Sequence, residues 1–245
     1  MGDLEVINVG AEQYRLGAWR GHPTVGYIVP LTPPERLSRV GLERSIGQLS
    51  ARGYTEVLTA ALTAREQQVF VQWGFTLFER LHLLQHDLRH LPPRPTIEAR
   101  VGAAHRWDRT AVLEVDSRAF DPMWRLDRPS LHEAISATPT SRFRAARNVP
   151  RAHSRRGPII GYAVSGHTGD HGYLQRLAVH PDAQRGGIGA ALVLDCLQWM
   201  RRAGVDRVSV NTQEANDRAF ALYERLGFVP VEPGLAVLRL EIGPA

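Results

Sequence analysis

The stretch from Tyr173 to Leu192 carries the strongest chemical signal in the sequence. It reads as a strand, a tight loop with glycines at positions 186, 187 and 189, and the first turn of a helix. Glycines let a backbone bend closely around a ligand, and a helix start offers unpaired N–H groups and a positive dipole end. The pattern predicts a cradle for an anion such as a pyrophosphate.

The helix that follows the loop, predicted over residues 188–203, fixes this cradle to a rigid element. Its apolar residues recur at helical spacing and predict one face packed on a sheet. Four polar residues of the helix are expected to stay largely outside that core: Asp195, Gln198, Arg201 and Arg202. The single cysteine, Cys196, falls in the same helix, which predicts a buried structural thiol rather than a nucleophile.

A second pattern runs from Asn216 to Phe228. Residues 219, 222, 223 and 226 lie on one helical face, and Gly227 suits the left-handed residue that ends a helix. Asn216 could cap the helix that begins at Asp217, and Tyr223 could be a core residue. Both positions therefore admit a structural role beside a chemical one.

A segment with three prolines, residues 91–96, is the best candidate for a domain linker, because proline removes backbone donors and extends the residue before it. Strands and helices alternate on both sides of it, which predicts α/β sheets covered by helices. The predicted strands are 24–29, 56–60, 158–164, 172–180, 207–211 and 236–241. The predicted helices are 34–52, 63–73, 109–120, 188–203 and 217–226.

The two halves share a pattern that indicates a duplicated unit. Gly53 to Val57, followed by Trp-Gly-Phe at 73–75, resembles Gly204 to Val208, followed by Leu-Gly-Phe at 226–228. The first copy has Pro-Pro-Glu-Arg and no glycine loop between its strand and its helix. We therefore expect a degenerate first half.

Together the two motifs resemble the GNAT superfamily of coenzyme A-dependent N-acetyltransferases. Residues 184–189, Gln-Arg-Gly-Gly-Ile-Gly, match that family's Gln/Arg-x-x-Gly-x-Gly/Ala signature, and residues 216–228 match its second motif. The resemblance covers residues 96–245 and reaches the first half only through the repeat, a tandem layout similar to mycothiol synthase. Within the family, the motifs are most similar to those of ribosomal-protein N-terminal alanine acetyltransferases.

The resemblance implies a fold, a division of the chain and a reaction. The fold is an α/β protein with a GNAT-like mixed central sheet flanked by helices, preceded by a truncated GNAT-like α/β half. The implied domains are a degenerate one over 1–90, the linker 91–96, and a catalytic one over 97–245. The implied reaction moves an acetyl group from acetyl-CoA to a primary amine of a small molecule, peptide or protein, by direct attack in a ternary complex and without a metal.

The resemblance also assigns roles to residues. Backbone groups of the strand would bind the pantetheine, and the loop would bind the pyrophosphate. These residues are Leu177, Ala178, Val179, Gln184, Arg185, Gly186, Gly187, Ile188, Gly189 and Ala190. Asn216 would contact the coenzyme or its acetyl group, and Tyr223 would protonate the leaving thiolate as general acid.

The residue that removes the proton of the attacking amine stays open. The family's glutamate commonly stands at the place of Tyr173 or, in the alanine acetyltransferase subgroup, of Asn211, and neither is a convincing base. Asp170, His171 and Glu214 lie nearby in sequence and could receive the proton through a water chain.

Composition sets broader limits. The chain has 245 residues, 43% hydrophobic and 22% charged, which is typical of a soluble globular protein with room for two small domains. The net charge is +5, and every basic residue is an arginine, which favours anionic ligands and leaves no lysine to be acylated. No apolar leader and no run of about 18 apolar residues is found, so we expect a cytoplasmic protein without a membrane span.

Two further patterns receive structural interpretations. His82, His86 and His90 recur every four residues, but the segment reads as a strand that ends at the prolines with His86 near the surface, which disfavours a metal site. Six arginines between Arg142 and Arg156 favour a mobile, solvated loop over a nucleic-acid site.

Two other functions remain as alternatives. The glycine loop followed by Asp206 resembles a dinucleotide-binding oxidoreductase, but Leu192 stands where that fingerprint needs a small residue. The missing base leaves a catalytically weak or inactive acyl-CoA-binding regulatory module as the stronger alternative.

Overall fold

The computed structural model describes residues 4–149 and 157–243, which form two compact units. Among these residues, unit 1 holds 4–83, 213–215 and 232–243, and unit 2 holds 84–212 and 216–231. The proline-rich segment 91–96 lies inside unit 2. The division into domains 1–90 and 97–245 stays a prediction.

Unit 1 begins with three antiparallel strands, after which two helices alternate with further strands. Its elements are β1 (Glu5–Val9), β2 (Glu12–Ala18), β3 (Val25–Pro30), α1 (Arg39–Ala51), β4 (Glu56–Thr59), α2 (Ala64–Gln72) and most of both β5 (Thr76–His86) and β11 (Val229–Glu241). Strands β1, β2 and β3 pair antiparallel in that order, and β3 runs parallel to β4. Strand β4 then pairs antiparallel with β11.

Unit 2 repeats this plan with added elements in front. Its elements are β6 (Ala99–Ala103), α3 (Arg109–Ala119), α4 (Arg128–Ser136), β7 (Thr140–Asn148), β8 (Ile159–Thr168), β9 (His171–Val179), α5 (Ile188–Arg202), β10 (Arg207–Gln213, its last residue in unit 1) and α6 (Asp217–Arg225). Strands β6 to β9 pair antiparallel in chain order, and β9 runs parallel to β10.

The order of elements is the same in the two units. Each repeat has three antiparallel strands, a helix, a parallel strand, a second helix and a last strand. In the first repeat these are β1 to β5 with α1 and α2, and in the second they are β7 to β11 with α5 and α6. This common order supports the predicted duplication.

Most predicted elements are confirmed, and helix 34–52 is wrong at its start. A short 3₁₀ turn over Pro34–Arg36 ends at Leu37, which is extended, and α1 begins only after Ser38. The Ser38 hydroxyl accepts a hydrogen bond from the Gly41 amide, so this residue caps the helix and fixes its first turn. Elements β1, β2, β6 and α4 were not predicted.

The loop predicted across Arg142–Arg156 is wrong for its first part. Residues 140–148 form β7, between β6 and β8. Arg147 lies 2.7 Å from the Asp108 carboxylate, in an ion pair whose two side chains are largely buried. The guanidinium charges are neutralised within the fold, which lets an arginine-rich segment pair as a strand. The remainder, residues 150–156, lies outside the described part of the chain.

Two apolar clusters cover the two faces of the unit 2 sheet. On one face α5 and α6 pack through residues such as Leu192, Leu197 and Leu226. On the other face α3 and α4 pack through Val112 and Leu131 against β8 and β9. Strand β9 is therefore packed on both faces of the sheet. Its pairing with the neighbouring strands decides which of its backbone groups are hydrogen-bonded.

Asp195 of α5 is buried, so its expected place outside the core is wrong. Its carboxylate is only 5% exposed and lies 3.3 Å from Arg94, 3.1 Å from Arg142 and 2.9 Å from Arg144. The partners of this carboxylate come from the segment before β6 and from β7. A buried carboxylate is tolerated here because three guanidinium groups surround it.

Two kinds of feature are absent from the described residues. Within 4–149 and 157–243, no helix is both long and apolar enough to cross a membrane. The same residues contain no group of three or more His, Cys, Asp or Glu side chains placed to hold a metal ion.

We expect Asp195→Asn to lower the free energy of unfolding by about 2 to 4 kcal/mol, because it leaves three partly buried guanidinium groups without their counter-charge. Urea unfolding of the full chain measures this. Asp182→Asn is the matched control, since the Asp182 side chain is 91% exposed. Equal stability of the two variants would contradict a structural role for the Asp195 cluster.

Candidate functional site

Strands β9 and β10 separate soon after they begin to pair. Their parallel register comprises only Arg207 with His171, Val208 with Gly172, and Ser209 with Tyr173. Strand β9 nevertheless continues to Val179. Residues 174–179 therefore have β8 on one side and, within the described part of the chain, no strand on the other. We call that second side the open edge of β9.

The open edge presents the backbone of Leu177 and Val179. The His180 amide donates to the Ile160 carbonyl of β8 at 2.8 Å, so the backbone N–H of His180 points toward β8. Backbone N–H and C=O groups of successive strand residues point to opposite sides. Those of Ala178 therefore also point toward β8, whereas those of Leu177 and Val179 point to the open edge. A bulge in the pairing with β8, at Gln175, re-aims the strand just before these groups.

The glycine loop connects the end of β9 to α5. A 3₁₀ turn over Pro181–Ala183 is followed by Arg185 and Gly187, which have φ angles of 65° and 75°. A backbone that alternates into the left-handed region forms a concave nest of N–H groups that suits an anion. The Arg185 side chain is exposed, and Gln184 donates to the Val179 carbonyl at 3.1 Å and accepts from Arg218.

Helix α5 begins directly at this loop. Gly187 is its N-cap residue and has no side chain to accept a hydrogen bond. The first intrahelical bond runs from the Ala191 amide to the Gly187 carbonyl, at 2.9 Å. The backbone N–H groups of residues 188–190 thus have no partner within the helix, and they form the positive end of the α5 dipole.

The proline-rich segment packs against the loop. A Cβ atom on Gly187 would lie 3.2 Å from Ile97 and 3.3 Å from Pro95, which is tighter than ordinary contact. A Cβ atom on Gly189 would lie 3.3 Å from Leu222 of α6. Both glycines allow close approach by other parts of unit 2, and Gly187 also has the left-handed φ that the loop requires.

Asn216 is the N-cap of α6. Its side-chain oxygen accepts from the Ala219 amide at 3.1 Å, so the capping role considered from the sequence is present. The amide nitrogen of the same side chain is not part of this bond. The role of Asn216 toward a coenzyme stays a prediction.

Tyr223 is buried in α6, with 4% of its surface exposed and its ring 5.5 Å from that of Phe228. Burial raises the pKa of the Tyr223 phenol, while the nearby charge of Arg176 acts in the opposite direction. The phenol therefore holds its proton at neutral pH, as a proton donor must. Gly227 ends α6 with a φ of 92°, as its position predicted.

His86 is buried, so its expected place near a surface is wrong. The ring is 2% exposed, and burial lowers its pKa. Its Nδ1 accepts from the Leu88 amide at 2.8 Å, and its Nε2 donates to the Leu226 carbonyl at 3.0 Å. His86 thereby fixes the turn that ends α6, and it is used structurally.

A buried ionic network beside β9 was not anticipated. Arg176 binds both oxygens of the Asp116 carboxylate, at 2.8 and 2.9 Å, and donates to the Trp124 carbonyl at 2.7 Å. Asp116 also accepts from the Tyr162 hydroxyl at 2.5 Å and from the Leu126 amide at 2.7 Å. The network joins β9 to the segment between α3 and α4.

The residues considered from the sequence as proton acceptors lie in different parts of the structure. Strand residues that are paired in the register have their side chains on the same face of the sheet. His171 and Tyr173 of β9 therefore share a face with their partners Arg207 and Ser209 of β10. Asn211 lies on this face too, because it is two residues further along β10 than Ser209. Gly172 lies on the other face, against Met200 of α5. Asp170 precedes β9, and Glu214 belongs to unit 1.

Unit 1 lacks both features of this site. All four residues of β4 pair with β3, and β3 runs only two residues beyond this pairing, whereas β9 runs six residues beyond its pairing with β10. The N-terminus of α1 is covered by a carboxylate of the chain itself, because Glu12 accepts from the Ser38 amide at 3.1 Å and from its hydroxyl at 2.5 Å. Burial acts to raise the pKa of Glu12, but these bonds and one from Tyr14 outweigh it and lower the pKa.

Comparison with known families decides the identity of this region. Residues 110–228, which include the open edge, the loop and α6, match the family model described as acetyltransferase (GNAT) family. The chain carries a GNAT domain. The resemblance read from the two motifs is thereby confirmed.

Known proteins extend the comparison beyond the GNAT domain. A mycothiol acetyltransferase of Saccharomonospora viridis is 30% identical over 135 residues, which are 51% of this chain and 44% of that protein. The chain thus spans less than half of this curated relative. Two solved structures show the fold over nearly the whole chain, at lower identity.

The first of these structures is a tandem GNAT protein from the clavulanic acid biosynthesis pathway. It has a TM-score of 0.67 and 18% identity, and the match covers 98% of this chain and 82% of that chain. The second is a GCN5-related N-acetyltransferase from Sphaerobacter thermophilus, with a TM-score of 0.64, 19% identity and coverage of 96% and 78%. The predicted α/β fold with a truncated GNAT-like first half is confirmed.

We expect Gly187→Ala to lower the free energy of unfolding by about 1 to 3 kcal/mol, because its left-handed φ is strained for alanine and its Cβ crowds Pro95 and Ile97. Gly186→Ala is the matched control, since its nearest contact would be the Ala183 carbonyl at 3.7 Å. Urea unfolding compares the two. If both variants match the wild type, the loop is not held as described.

Proposed function

We propose that unit 2 transfers an acetyl group from acetyl-CoA to a primary amine. The observation that carries the proposal is the open edge of β9, which leads directly into a glycine loop and the bare N-terminus of α5. An extended amide chain can add to a strand edge, and a pyrophosphate suits a helix start. Pantetheine joined to a pyrophosphate has both parts in this order.

In this proposal, each predicted contact has a defined part. The pantetheine amides pair with the backbone of residues 177–179, and the pyrophosphate lies over the amides of residues 184–190. Arg185 adds a positive charge from the exposed side of the loop. The Val179 carbonyl is already bonded to Gln184, so this side chain moves aside or the pantetheine uses the amide of Val179 instead.

The chemistry requires two proton transfers. The amine nitrogen attacks the thioester carbonyl, loses a proton, and forms the new amide as the carbon–sulfur bond breaks. Tyr223 supplies the proton to the sulfur, and its buried, protonated phenol suits this role. No acyl-enzyme is needed.

The acceptor is proposed only as a class. The curated relative is named mycothiol acetyltransferase, and the chain spans 44% of it. An amine of a small molecule, peptide or protein fits the proposal equally. Three probes sample these classes: glucosamine, phenethylamine and an alanine tripeptide amide.

Isothermal titration of the full chain with acetyl-CoA tests the proposal first, with NAD and NADP as controls. We expect acetyl-CoA alone to bind, and thiol release with an amine probe to follow. Binding without any thiol release would favour the inactive acyl-CoA-binding module. Binding of a dinucleotide instead would favour the oxidoreductase.

The titration should give one acetyl-CoA per chain. In unit 1 β3 extends only two residues beyond its pairing with β4, and Glu12 holds the place of an anion at the start of α1. Gly187→Glu should therefore abolish all binding, through the bulk and negative charge that it adds in unit 2. A second equivalent, or residual binding in that variant, would contradict a silent first unit.

We expect Tyr223→Phe to reduce turnover by roughly 10- to 1,000-fold, the range expected near or below the contribution of a general acid. Affinity for acetyl-CoA should stay unchanged, because phenylalanine keeps the ring in the core. Tyr54→Phe in unit 1 serves as the control. A Tyr223→Phe enzyme with wild-type turnover would remove this residue from the mechanism.

A further inference from the structure

Four polar side chains gather where β9 and β10 stop pairing. His171 and Tyr173 of β9 share a face with Ser209 of β10, and the two aromatic rings are stacked, with centroids 4.6 Å apart and planes 13° apart. Gln85 of β5 reaches the same serine. The face is the one opposite α5, because Gly172 lies against Met200 of that helix.

Hydrogen bonds connect this cluster into a relay. The Gln85 amide donates to Ser209 Oγ at 3.3 Å, and Ser209 Oγ lies 2.8 Å from His171 Nε2. A serine hydroxyl has one hydrogen and can accept from Gln85 while it donates elsewhere. In the neutral imidazole, Nε2 then accepts the serine hydrogen and Nδ1 carries the ring proton.

The relay lies beside the gap between the strands. Ser209 and Tyr173 form the last pair of the parallel register, and the open edge of β9 begins at the next residue. A thioester at the inner end of that gap would lie next to the Ser209 hydroxyl. Tyr173 is 39% exposed, so this side of the cluster is open to an incoming molecule.

We propose that His171, acting through Ser209, is the proton acceptor for the attacking amine. The proposal rests on the acetyltransferase function proposed above. As the nitrogen–carbon bond forms, Ser209 Oγ takes a proton from the amine and passes its own proton to His171 Nε2. The carbon–sulfur bond breaks, Tyr223 protonates the sulfur, and solvent then removes the imidazolium proton and reprotonates the phenolate.

The electrostatic surroundings suit a base. Burial lowers the pKa of His171, the Arg207 charge lowers it further, and Asp170 acts in the opposite direction. The charged groups that face the ring are thus one cation from β10 and one anion from the turn before β9, while Gln85 on β5 is neutral. His171 is therefore unprotonated at neutral pH and becomes protonated only below the ordinary imidazole pKa of about 6.5.

The other side chains near the gap are poorer acceptors than His171 for the proton of the attacking amine. Tyr173 would have to be a phenolate, and Asn211 has no basic group. Neither position carries a carboxylate, and the guanidinium of Arg207 on the same face already carries its proton. His171 therefore offers the acceptor that fits this proposal. The relay supplies the base that the motif comparison left open.

The test compares the wild type with His171→Gln and Ser209→Ala as a function of pH. Thiol release from acetyl-CoA is measured with glucosamine, phenethylamine and the alanine tripeptide amide, and by hydrolysis of the thioester where no amine is accepted. We expect kcat/KM to fall on the order of 100-fold at pH 8 in either variant, the lower range for general-base catalysis. Affinity for acetyl-CoA should be unchanged.

The ratio of wild-type to variant kcat/KM separates a base from a structural residue. The ionisation of the acceptor amine cancels in this ratio, so a base gives a ratio that declines as the pH falls through the pKa of His171. His132→Gln, an exposed imidazole on α4, should give a ratio near one at every pH.

A ratio that is independent of pH, or near one for His171→Gln, overturns the relay while the acetyltransferase function stands. If the wild type binds no acetyl-CoA, the proposed function fails and the relay fails with it. These two failures are distinguished by the calorimetric titration of the wild type.

Discussion

The early separation of β9 from β10 is the constraint on which the rest of unit 2 depends. Buried backbone groups are almost always paired, and leaving one without a partner costs about 1 to 3 kcal/mol. Strand β9 leaves its register after Tyr173 and still runs to Val179. Its open edge is therefore a row of groups that water or a ligand must satisfy, and the glycine loop at its end continues this row with the amides at the start of α5.

A strand without a neighbour on one side needs other support, and β9 has it on both faces. Helix α5 packs on one face through a nearly continuous apolar surface. On the other face, Arg176 joins Asp116, Tyr162 and the segment after α3 in a network in which each buried charge has its counterpart. A fully satisfied network of this kind favours a single arrangement, which supports β9 on the face away from α5.

What could be predicted from the sequence was local. Glycine spacing, helix caps and the position of Tyr223 depend on residues within a few turns, so the loop, α5 and α6 were placed within one or two residues. Asp195 and His86 were misjudged because their partners lie far along the chain, such as Arg144, 51 residues away, and Leu226, 140 residues away. The contact of His171 with Ser209 depends in the same way on the register of two strands that a helix separates, and periodicity does not fix that register.

The carboxylate of Glu12 has a consequence for the history of the first unit. It caps the start of α1, and it fills the space beside Gly41 in which any bound anion would have to lie. A single substitution that removed it would leave the Ser38 and Tyr14 hydroxyls without this acceptor and would still leave every residue of β4 paired with β3. A coenzyme site like the one proposed for unit 2 would require both a longer open strand edge and a different cap for α1, so no single substitution creates such a site in the first unit.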